Sequence, residues 1–180
     1  QAQDVAVRGN FCTLDAAGKI SDRRAGRIAS EESLLVVKKL QQVKLAGVEV
    51  IVEAVKEHRF VVIFRGPGLG GSVRDTDPQQ TGVPPLAAVA DDPASQRTAE
   101  LANQFVAQAR ELIKDEKKAN GLTLRGFSAK PNIPTYQELY GLRAAAIAVY
   151  PMYKGLASLV GMDIVGQAKD LAQQIDVLKQ

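Results

Sequence analysis

The clearest hydrophobic pattern in the chain is a continuous apolar run at residues 60–64, which reads FVVIF. A short run rich in β-branched and aromatic residues, followed by glycine and proline, is typical of a buried strand. Residues 48–55 come just before it. Valines at 48, 50 and 52 alternate there with Glu49, Ile51 and Glu53, which indicates a second strand. The polar residues 56–59 separate the two runs and are typical of a turn. The pattern therefore predicts an antiparallel hairpin.

Strand and helix patterns are interspersed along the rest of the chain. Alternation predicts a strand at residues 4–13, with a bulge near Gly9, and apolar runs predict strands at 122–127 and 142–149. Helices are predicted at residues 30–45, 96–117 and 163–179, and a shorter helix is predicted to open at Pro151. Residues 73–92 contain several prolines and are predicted to be irregular. These elements predict an α+β fold, with helices packed on a mostly antiparallel sheet.

The composition excludes several classes of protein. The chain has 180 residues, of which 46% are hydrophobic and 24% charged, as in an ordinary globular domain. A net charge of +3 is too small to indicate nucleic-acid binding without a dense basic face. No apolar stretch is long enough to cross a bilayer, so no membrane partner is expected. Cys12 is the single cysteine, which excludes an internal disulfide and favours a reducing, cytoplasmic location.

A glycine-rich segment at residues 66–71 follows the predicted buried strand. Gly66, Gly68 and Gly71 have the spacing of a dinucleotide-binding fingerprint, but that fingerprint needs a helix that opens at the third glycine. Residues 72–78 have no helical pattern and end in proline. The sequence also lacks the Gly-Lys-Ser/Thr of a phosphate-binding P-loop. Both nucleotide motifs are therefore rejected.

Arginines are the strongest chemical signal in the first part of the chain, where most lie near glycines or predicted strand ends. They are Arg8, Arg23, Arg24, Arg27, Arg65 and Arg74. A guanidinium group binds a carboxylate or a phosphate through two parallel hydrogen bonds. Spacing alone leaves two interpretations open. One is a site for a small anion at the glycine-rich segment, and the other is a solvated surface with scattered salt bridges.

The single histidine and the single cysteine give weaker signals. His58 lies between Glu57 and Arg59 in a polar turn and is interpreted as a solvated turn residue. Cys12 has no partner in the pattern and is interpreted as a structural thiol rather than a nucleophile. No group of His, Cys, Asp and Glu has the spacing of a metal site, so no cofactor is expected within this chain.

Six sets of motifs resemble one known family in order and approximate spacing. They are RGNFCTLD at residues 8–15, ISDRRAGRI at 20–28, FRGPGL at 64–69, DTDP at 75–78 with GVPP at 82–85, YGLRA at 140–144, and PMYKG at 151–155 with LVGM at 159–162. The family is the archaeal type of cofactor-independent phosphoglycerate mutase, within the alkaline phosphatase superfamily. The resemblance covers nearly the whole chain but only a middle portion of the family's chain.

The resemblance implies that this chain is the inserted substrate-binding domain of a larger enzyme. Residues 1–160 would form that domain, and the helix from residue 161 to 180 would lead back to a core domain. The core would carry a serine that becomes phosphorylated and a divalent metal centre (Mn, Mg, Zn or Co), neither of which is expected in this chain. The family's reaction interconverts 2-phosphoglycerate and 3-phosphoglycerate in glycolysis, so this fragment alone is expected to be inactive.

By the same resemblance, the inserted domain holds the small phosphorylated acid while its phosphate moves. Arg23 and Arg27 are placed on the substrate anions, followed by Arg65 and Arg74. Asn10 and Lys154 are further candidates for substrate binding. Asp75 is expected to exchange a proton with the glycerate hydroxyl. The enzyme's own metal-binding domain is the expected protein partner.

Two other functions remain open at this point. The chain could be a non-catalytic structural or regulatory module, in which the arginines lie on the surface and Asp75 is a turn residue. It could also belong to a related phosphotransferase that acts on another phosphorylated substrate.

Overall fold

The computed structural model describes residues 4–179, which divide into two compact units with the boundary between Lys130 and Pro131. The prediction that residues 1–160 form the inserted domain and 161–180 lead to a core is not tested by this division and stays a prediction. Within residues 4–179, no helix is both long enough and apolar enough to cross a membrane.

The first unit contains a five-stranded antiparallel sheet. Its strands are β1 (Asp4–Leu14), β2 (Ile20–Asp22), β3 (Glu49–Lys56), β4 (Arg59–Arg65) and β5 (Gly121–Ala129). Strand β1 pairs with β4 on one side and β5 on the other, and β3 pairs with β4. The short β2 pairs with the end of β1. The predicted hairpin of β3 and β4 and the predicted mostly antiparallel sheet are confirmed.

Alternation along the strands separates a core face from a second face of the sheet. On β4, Phe60, Val62 and Phe64 are buried, whereas the residues between them are only partly buried. On β1, Val5 and Val7 are buried on the core face, whereas Arg8 is exposed. Side chains alternate between the two faces of a strand, so the second face receives Arg8 and Asn10.

Two helices cover the core face of the sheet. Helix α1 (Ser30–Leu40) packs against β3 and against helix α2 (Gln96–Ile113), which also packs against β5. The fully buried Phe105 of α2 meets Phe64 edge-on, with ring centroids 6.0 Å apart. Helix α2 ends four residues earlier than the sequence predicted.

The second unit is smaller, and its helices and strands are short. It contains α3 (Tyr136–Tyr140), β6 (Ala145–Ala146), α4 (Pro151–Leu159), β7 (Asp163–Ile164) and α5 (Leu171–Leu178). Strands β6 and β7 are parallel, and α4 connects them. The carboxylate of Asp170 accepts a hydrogen bond from the Gln173 N–H, which caps the start of α5.

Two predicted elements of the second unit are wrong. The predicted buried strand at residues 142–149 is reduced to β6, and neither residue of that strand is buried. The predicted helix at residues 163–179 begins as β7 and becomes helical only at Leu171. Gly166 interrupts it, because its backbone has a φ of +67°, which a continuous right-handed helix does not contain.

Gly9 is the position in β1 where a side chain is least tolerable. A Cβ atom there would overlap the Phe60 ring, which itself packs on Phe11 at a centroid distance of 4.5 Å. Gly9→Ala is therefore expected to lower the free energy of unfolding by about 2–3 kcal/mol, because a rigid buried ring must move. Urea denaturation measures this change.

The matched control is Gly155→Ala in α4, where a Cβ atom meets nothing within 4 Å. Alanine replaces a helical glycine there, so stability is expected to stay the same or to rise by up to about 1 kcal/mol. Equal destabilisation by both variants would contradict the close contact between Gly9 and Phe60.

Candidate functional site

A small cavity opens on the second face of the sheet, near the end of the β3–β4 hairpin. Its volume is about 160 Å³, which suits a ligand well below the size of a drug molecule. Its lining is almost entirely polar and consists of Arg8, Asn10, Arg23, Arg24, His58, Arg59, Asp77 and Arg125. We call this the arginine cavity. Five guanidinium groups face a single carboxylate, so the cavity is strongly positive.

The sheet register brings four of these side chains together. Arg8 lies opposite Arg125 in the pairing of β1 with β5, and Asn10 lies opposite Arg59 in the pairing of β1 with β4. Directly paired residues of antiparallel strands share one face and have close Cβ atoms. Three adjacent strands therefore build one basic surface around the middle of β1.

A tight turn after β2 supplies Arg23 and Arg24. The Asp22 carboxylate accepts hydrogen bonds from the backbone N–H groups of Arg24 at 2.7 Å and Gly26 at 2.8 Å. These bonds, chiefly that from Arg24, lower the pKa of Asp22 despite its partial burial. Ala25 and Arg27 have φ values of +49° and +51°, which are strained for residues with a Cβ atom. Asp22 thus stabilises the shape of the turn that carries both arginines.

Asp77 is the buried centre of the ion-pair network, with its side chain only 4% exposed. It accepts hydrogen bonds from Arg23 Nη2 at 2.9 Å, Arg125 Nη1 at 3.3 Å and the Gln79 backbone N–H at 2.8 Å. Burial alone would raise the pKa of Asp77. The hydrogen bonds from Arg23 and Gln79, with the charges of Arg23 and Arg125, outweigh burial and lower it. Asp77 is therefore a fixed anion that orients two of the five arginines.

The remaining three arginines of the cavity form weak ion pairs or none with the described carboxylates. Arg59 Nη1 lies 3.9 Å from Glu57 Oε2, which is a long ion-pair distance. Arg8 and Arg24 form no ion pair with any carboxylate among residues 4–179. Because like charges crowded together repel one another, this arrangement favours the entry of an anion. A phosphate or a carboxylate would supply the missing negative charge.

His58 is buried, so its interpretation as a solvated turn residue is wrong. Its side chain is only 5% exposed, because the Phe11 N–H donates to the His58 carbonyl and draws the turn against β1. Burial is the main cause that lowers the pKa of His58. The positive charges of Arg59, Arg24 and Arg27 lower this pKa further, whereas the negative charge of Glu57 raises it. The ring is therefore neutral at pH 7, and no described residue hydrogen-bonds to its Nδ1.

The lowered pKa of His58 predicts how stability depends on pH. Below its ordinary pKa of 6.5, the unfolded chain binds a proton at His58 that the folded chain resists. The stability that the neutral, buried ring contributes is fully present above pH 6.5. It is lost as the pH falls toward the pKa of His58 in the folded chain. We expect the free energy of unfolding to decrease when the pH is lowered from 7.5 to 5.5, and we expect His58→Gln to remove most of that decrease. Urea denaturation at the two pH values measures it. An equal decrease in the native chain and in His58→Gln would contradict this explanation.

The structure brings some of the predicted site residues together. Arg23 and Asn10 both line the arginine cavity. Arg27 is exposed and does not line it, although its charge lies close enough to affect His58. Lys154 belongs to α4 of the second unit, where it is partly buried. The substrate-binding role of each of these residues stays a prediction.

Arg65 and Arg74 are not in the arginine cavity, so the expected convergence of arginines on the glycine-rich segment is wrong. Arg65 pairs with Asp4 at the far end of β1, where its Nη2 lies 2.8 Å from Asp4 Oδ2. Six residues of strand, or about 20 Å, separate that end from Asn10. Arg74 lies on the surface and pairs with Asp91 at 2.5 Å.

Several glycines of the glycine-rich segment are packed closely against other parts of the protein. A Cβ atom at Gly70 would meet backbone atoms of Ala94 at 2.8 Å, and one at Gly71 would meet the Ala129 nitrogen at 2.5 Å. The guanidinium of Arg97 donates to the Pro67 carbonyl at 2.9 Å. The glycines therefore allow close chain packing.

Asp75, predicted to transfer a proton, does not line the arginine cavity. Its carboxylate accepts from the Gly126 N–H at 2.7 Å and from Arg125 Nε at 3.2 Å. The next residue, Thr76, exchanges hydrogen bonds with the backbone of Leu124. Asp75 thus helps to hold this segment along the edge of β5, and Arg125 bridges it to Asp77. Its catalytic role stays a prediction without support from its position.

Sequence reasoning left several lining residues out of the predicted site, namely Arg8, Arg24, Arg59, Arg125, His58 and Asp77. One of them carried a usable signal. Arg8 is two residues from the predicted Asn10 on the same strand, so alternation places both on one face. The others depend on pairings between distant segments, such as Arg8 with Arg125.

The described residues do not form a metal centre. Among residues 4–179, no three His, Cys, Asp or Glu side chains lie close enough to hold an ion. Cys12 is fully buried, and burial is the main cause that raises its pKa to about 12, so its thiol is protonated and structural.

Comparisons with known proteins agree with this architecture. The family model for 2,3-bisphosphoglycerate-independent phosphoglycerate mutase matches residues 1–119. A probable enzyme of that name from Thermus thermophilus is 53% identical over 182 residues, covering 98% of this chain and 45% of the relative. A probable enzyme from Deinococcus radiodurans is 52% identical over 167 residues, covering 90% of this chain and 41% of the relative.

A solved structure gives the same result at the level of the fold. The cofactor-independent phosphoglycerate mutase from Thermoplasma acidophilum superposes with a TM-score of 0.72 at 30% identity, covering 91% of this chain and 47% of that one. The fold and sequence are those of an α+β portion of a phosphoglycerate mutase. This chain belongs to the 2,3-bisphosphoglycerate-independent phosphoglycerate mutase family, and it spans about half the length of the curated relatives it matches.

Proposed function

We propose that the arginine cavity is the phosphoglycerate-binding site of a mutase that interconverts 2-phosphoglycerate and 3-phosphoglycerate. The observation that carries the proposal is the set of five arginines around a single carboxylate, Asp77, in a cavity of about 160 Å³. Phosphoglycerate is small and carries both a carboxylate and a phosphate. Guanidinium groups on several sides suit two anionic groups that point in different directions.

The described residues would bind and orient the substrate rather than break its bonds. Arg23 and Arg125 are held by Asp77 and offer fixed donors, whereas Arg8 and Arg24 supply unpaired positive charge. Holding both anionic groups fixes the position of the hydroxyl relative to the phosphate. Such orientation replaces a random encounter with one defined geometry.

We further propose that the phosphoryl transfer itself takes place on groups outside this chain. The residues described here offer no metal centre. The resemblance implies a serine that becomes phosphorylated and a divalent metal centre in a partner domain of the same enzyme. This proposal includes glycolysis as the pathway and the cytoplasm as the location, and the single, buried Cys12 suits that location.

The test is activity in the full-length protein, with 2-phosphoglycerate as substrate and 3-phosphoglycerate measured as product. Arg24→Met is expected to raise KM by at least about tenfold, since one charge-assisted hydrogen bond is lost. Arg110→Met, on the exposed side of α2, removes the same charge outside the arginine cavity and is expected to leave KM unchanged. Equal effects of both variants, or no mutase activity in the full-length protein, would contradict the proposal.

A further inference from the structure

Two buried polar atoms at the arginine cavity have no hydrogen-bond partner among the described residues. They are Asn10 Oδ1 and His58 Nδ1, and both residues line the cavity. Buried polar groups in folded proteins are almost always paired, so an unpaired one calls for an explanation. Ser33 Oγ is the third such atom, and its residue belongs to α1 and does not line this cavity.

The unpaired amide oxygen of Asn10 cannot be satisfied by an anion. Phosphate and carboxylate oxygens only accept hydrogen bonds when they are fully ionised, and Asn10 Oδ1 also only accepts. A hydroxyl group, in contrast, donates one hydrogen bond and can accept others. The arginines therefore suit the anionic groups of a ligand, whereas the amide oxygen suits a hydroxyl group of the same ligand.

His58 fits the same ligand group. Its Nδ1 lies 3.9 Å from Glu57 Oε2, which is beyond hydrogen-bond distance, and its side chain is only 5% exposed. Burial and the neighbouring arginines keep the ring neutral by lowering its pKa. In the tautomer protonated at Nδ1, the ring donates a hydrogen bond, which a hydroxyl oxygen accepts.

We propose that Asn10 and His58 form a hydroxyl-binding subsite of the arginine cavity, so that the site selects a phosphorylated hydroxy acid over the same acid without its hydroxyl. The inference rests on the proposed function of the cavity and adds specificity to it. Asn10 accepts from the hydroxyl, and His58 donates to it. In 2- and 3-phosphoglycerate, that hydroxyl is the atom to which the phosphate must move, so both residues are positioning residues.

The test compares two ligands that differ only in the hydroxyl, using the 180-residue chain and isothermal titration calorimetry. The ligands are 3-phosphoglycerate and 3-phosphonooxypropanoate, which lacks the hydroxyl at carbon 2. The native chain is expected to bind 3-phosphoglycerate about five- to tenfold more tightly, as one recovered buried hydrogen bond implies. In Asn10→Ala, this preference is expected to fall below about twofold through weaker binding of 3-phosphoglycerate.

Two further variants separate specificity from general anion binding and from misfolding. Asn10→Asp keeps an acceptor at the same place, so it should weaken both ligands by charge repulsion and retain the preference. Arg24→Met should weaken both ligands by the same factor. Circular dichroism establishes that each variant is folded.

The outcomes distinguish this inference from the proposed function. If the native chain binds both ligands with equal affinity, or if Asn10→Ala keeps the preference, the hydroxyl subsite is wrong while the anion site stands. If neither the 180-residue chain nor the full-length protein binds either ligand, the proposed function of the cavity fails and the subsite fails with it.

Discussion

Asp77→Asn is expected to lower the free energy of unfolding by about 2–4 kcal/mol. Its carboxylate is almost fully buried and accepts from Arg23, Arg125 and the Gln79 N–H. Removing one partner of a buried ion pair leaves the other charges uncompensated, which costs more than the pair itself contributed. Five guanidinium groups would then share the arginine cavity without a carboxylate. Urea denaturation at pH 7 measures the loss.

The control for this prediction is Asp91→Asn, which removes the partner of Arg74 at the surface. Both of those side chains are largely exposed, so the expected loss is below about 1 kcal/mol. Millimolar inorganic phosphate should restore stability to Asp77→Asn more than to the native chain, because an anion that binds only the folded state stabilises it. A loss at Asp77 no larger than that at Asp91 would show that the network is not important for folding.

Removing the two unpaired arginines, Arg8 and Arg24, is expected to weaken the binding of 3-phosphoglycerate by at least about 100-fold. Each charge-assisted hydrogen bond contributes about 1.5–3 kcal/mol, and 1.4 kcal/mol corresponds to a factor of ten in affinity. Folding should change little, because neither side chain holds a described carboxylate in an ion pair. Calorimetric titration of Arg8→Met/Arg24→Met at low ionic strength measures the affinity.

A second double variant decides between the structure and the sequence-based prediction of the site. Arg65→Met/Arg74→Met removes two arginines that pair with Asp4, Glu49 and Asp91 away from the arginine cavity. It carries the same change in net charge, so long-range attraction falls equally in both variants. We expect less than about threefold weaker binding, since only screened long-range charge is lost. If Arg65→Met/Arg74→Met weakened binding more than Arg8→Met/Arg24→Met, the result would favour a site at the glycine-rich segment instead.

Local pattern was enough to predict most of the first unit's elements. The hairpin of β3 and β4, the strands β1 and β5 and the helices α1 and α2 follow from periodicity and from turn residues. Periodicity was misleading in the second unit, where apolar residues 142–149 are not a buried strand. A short apolar run does not reveal whether it is buried within its own unit.

The candidate site was predictable only in part, because its residues meet through pairings between distant segments. The predicted Arg23 and Asn10 both line the arginine cavity, but Arg125 joins Arg8 across more than a hundred residues of chain. Arg65 lies outside the cavity for the opposite reason. It adjoins the glycines in sequence, yet antiparallel pairing sets it beside Asp4 and away from Asn10. The burial of His58 likewise depends on a backbone hydrogen bond to Phe11 that no local pattern indicates.

The most direct measurement of the central claim uses the single histidine as a probe inside the arginine cavity. His58 gives one imidazole Hε1 resonance, which can be followed by proton NMR during titration with 3-phosphoglycerate. We predict a saturable shift of this resonance and a rise in the pKa of His58, because a bound anion offsets the arginine charges that lower it. The shift should be absent in Arg8→Met/Arg24→Met. An unchanged His58 resonance, with backbone amide shifts at residues 66–71 instead, would contradict the assignment of the site.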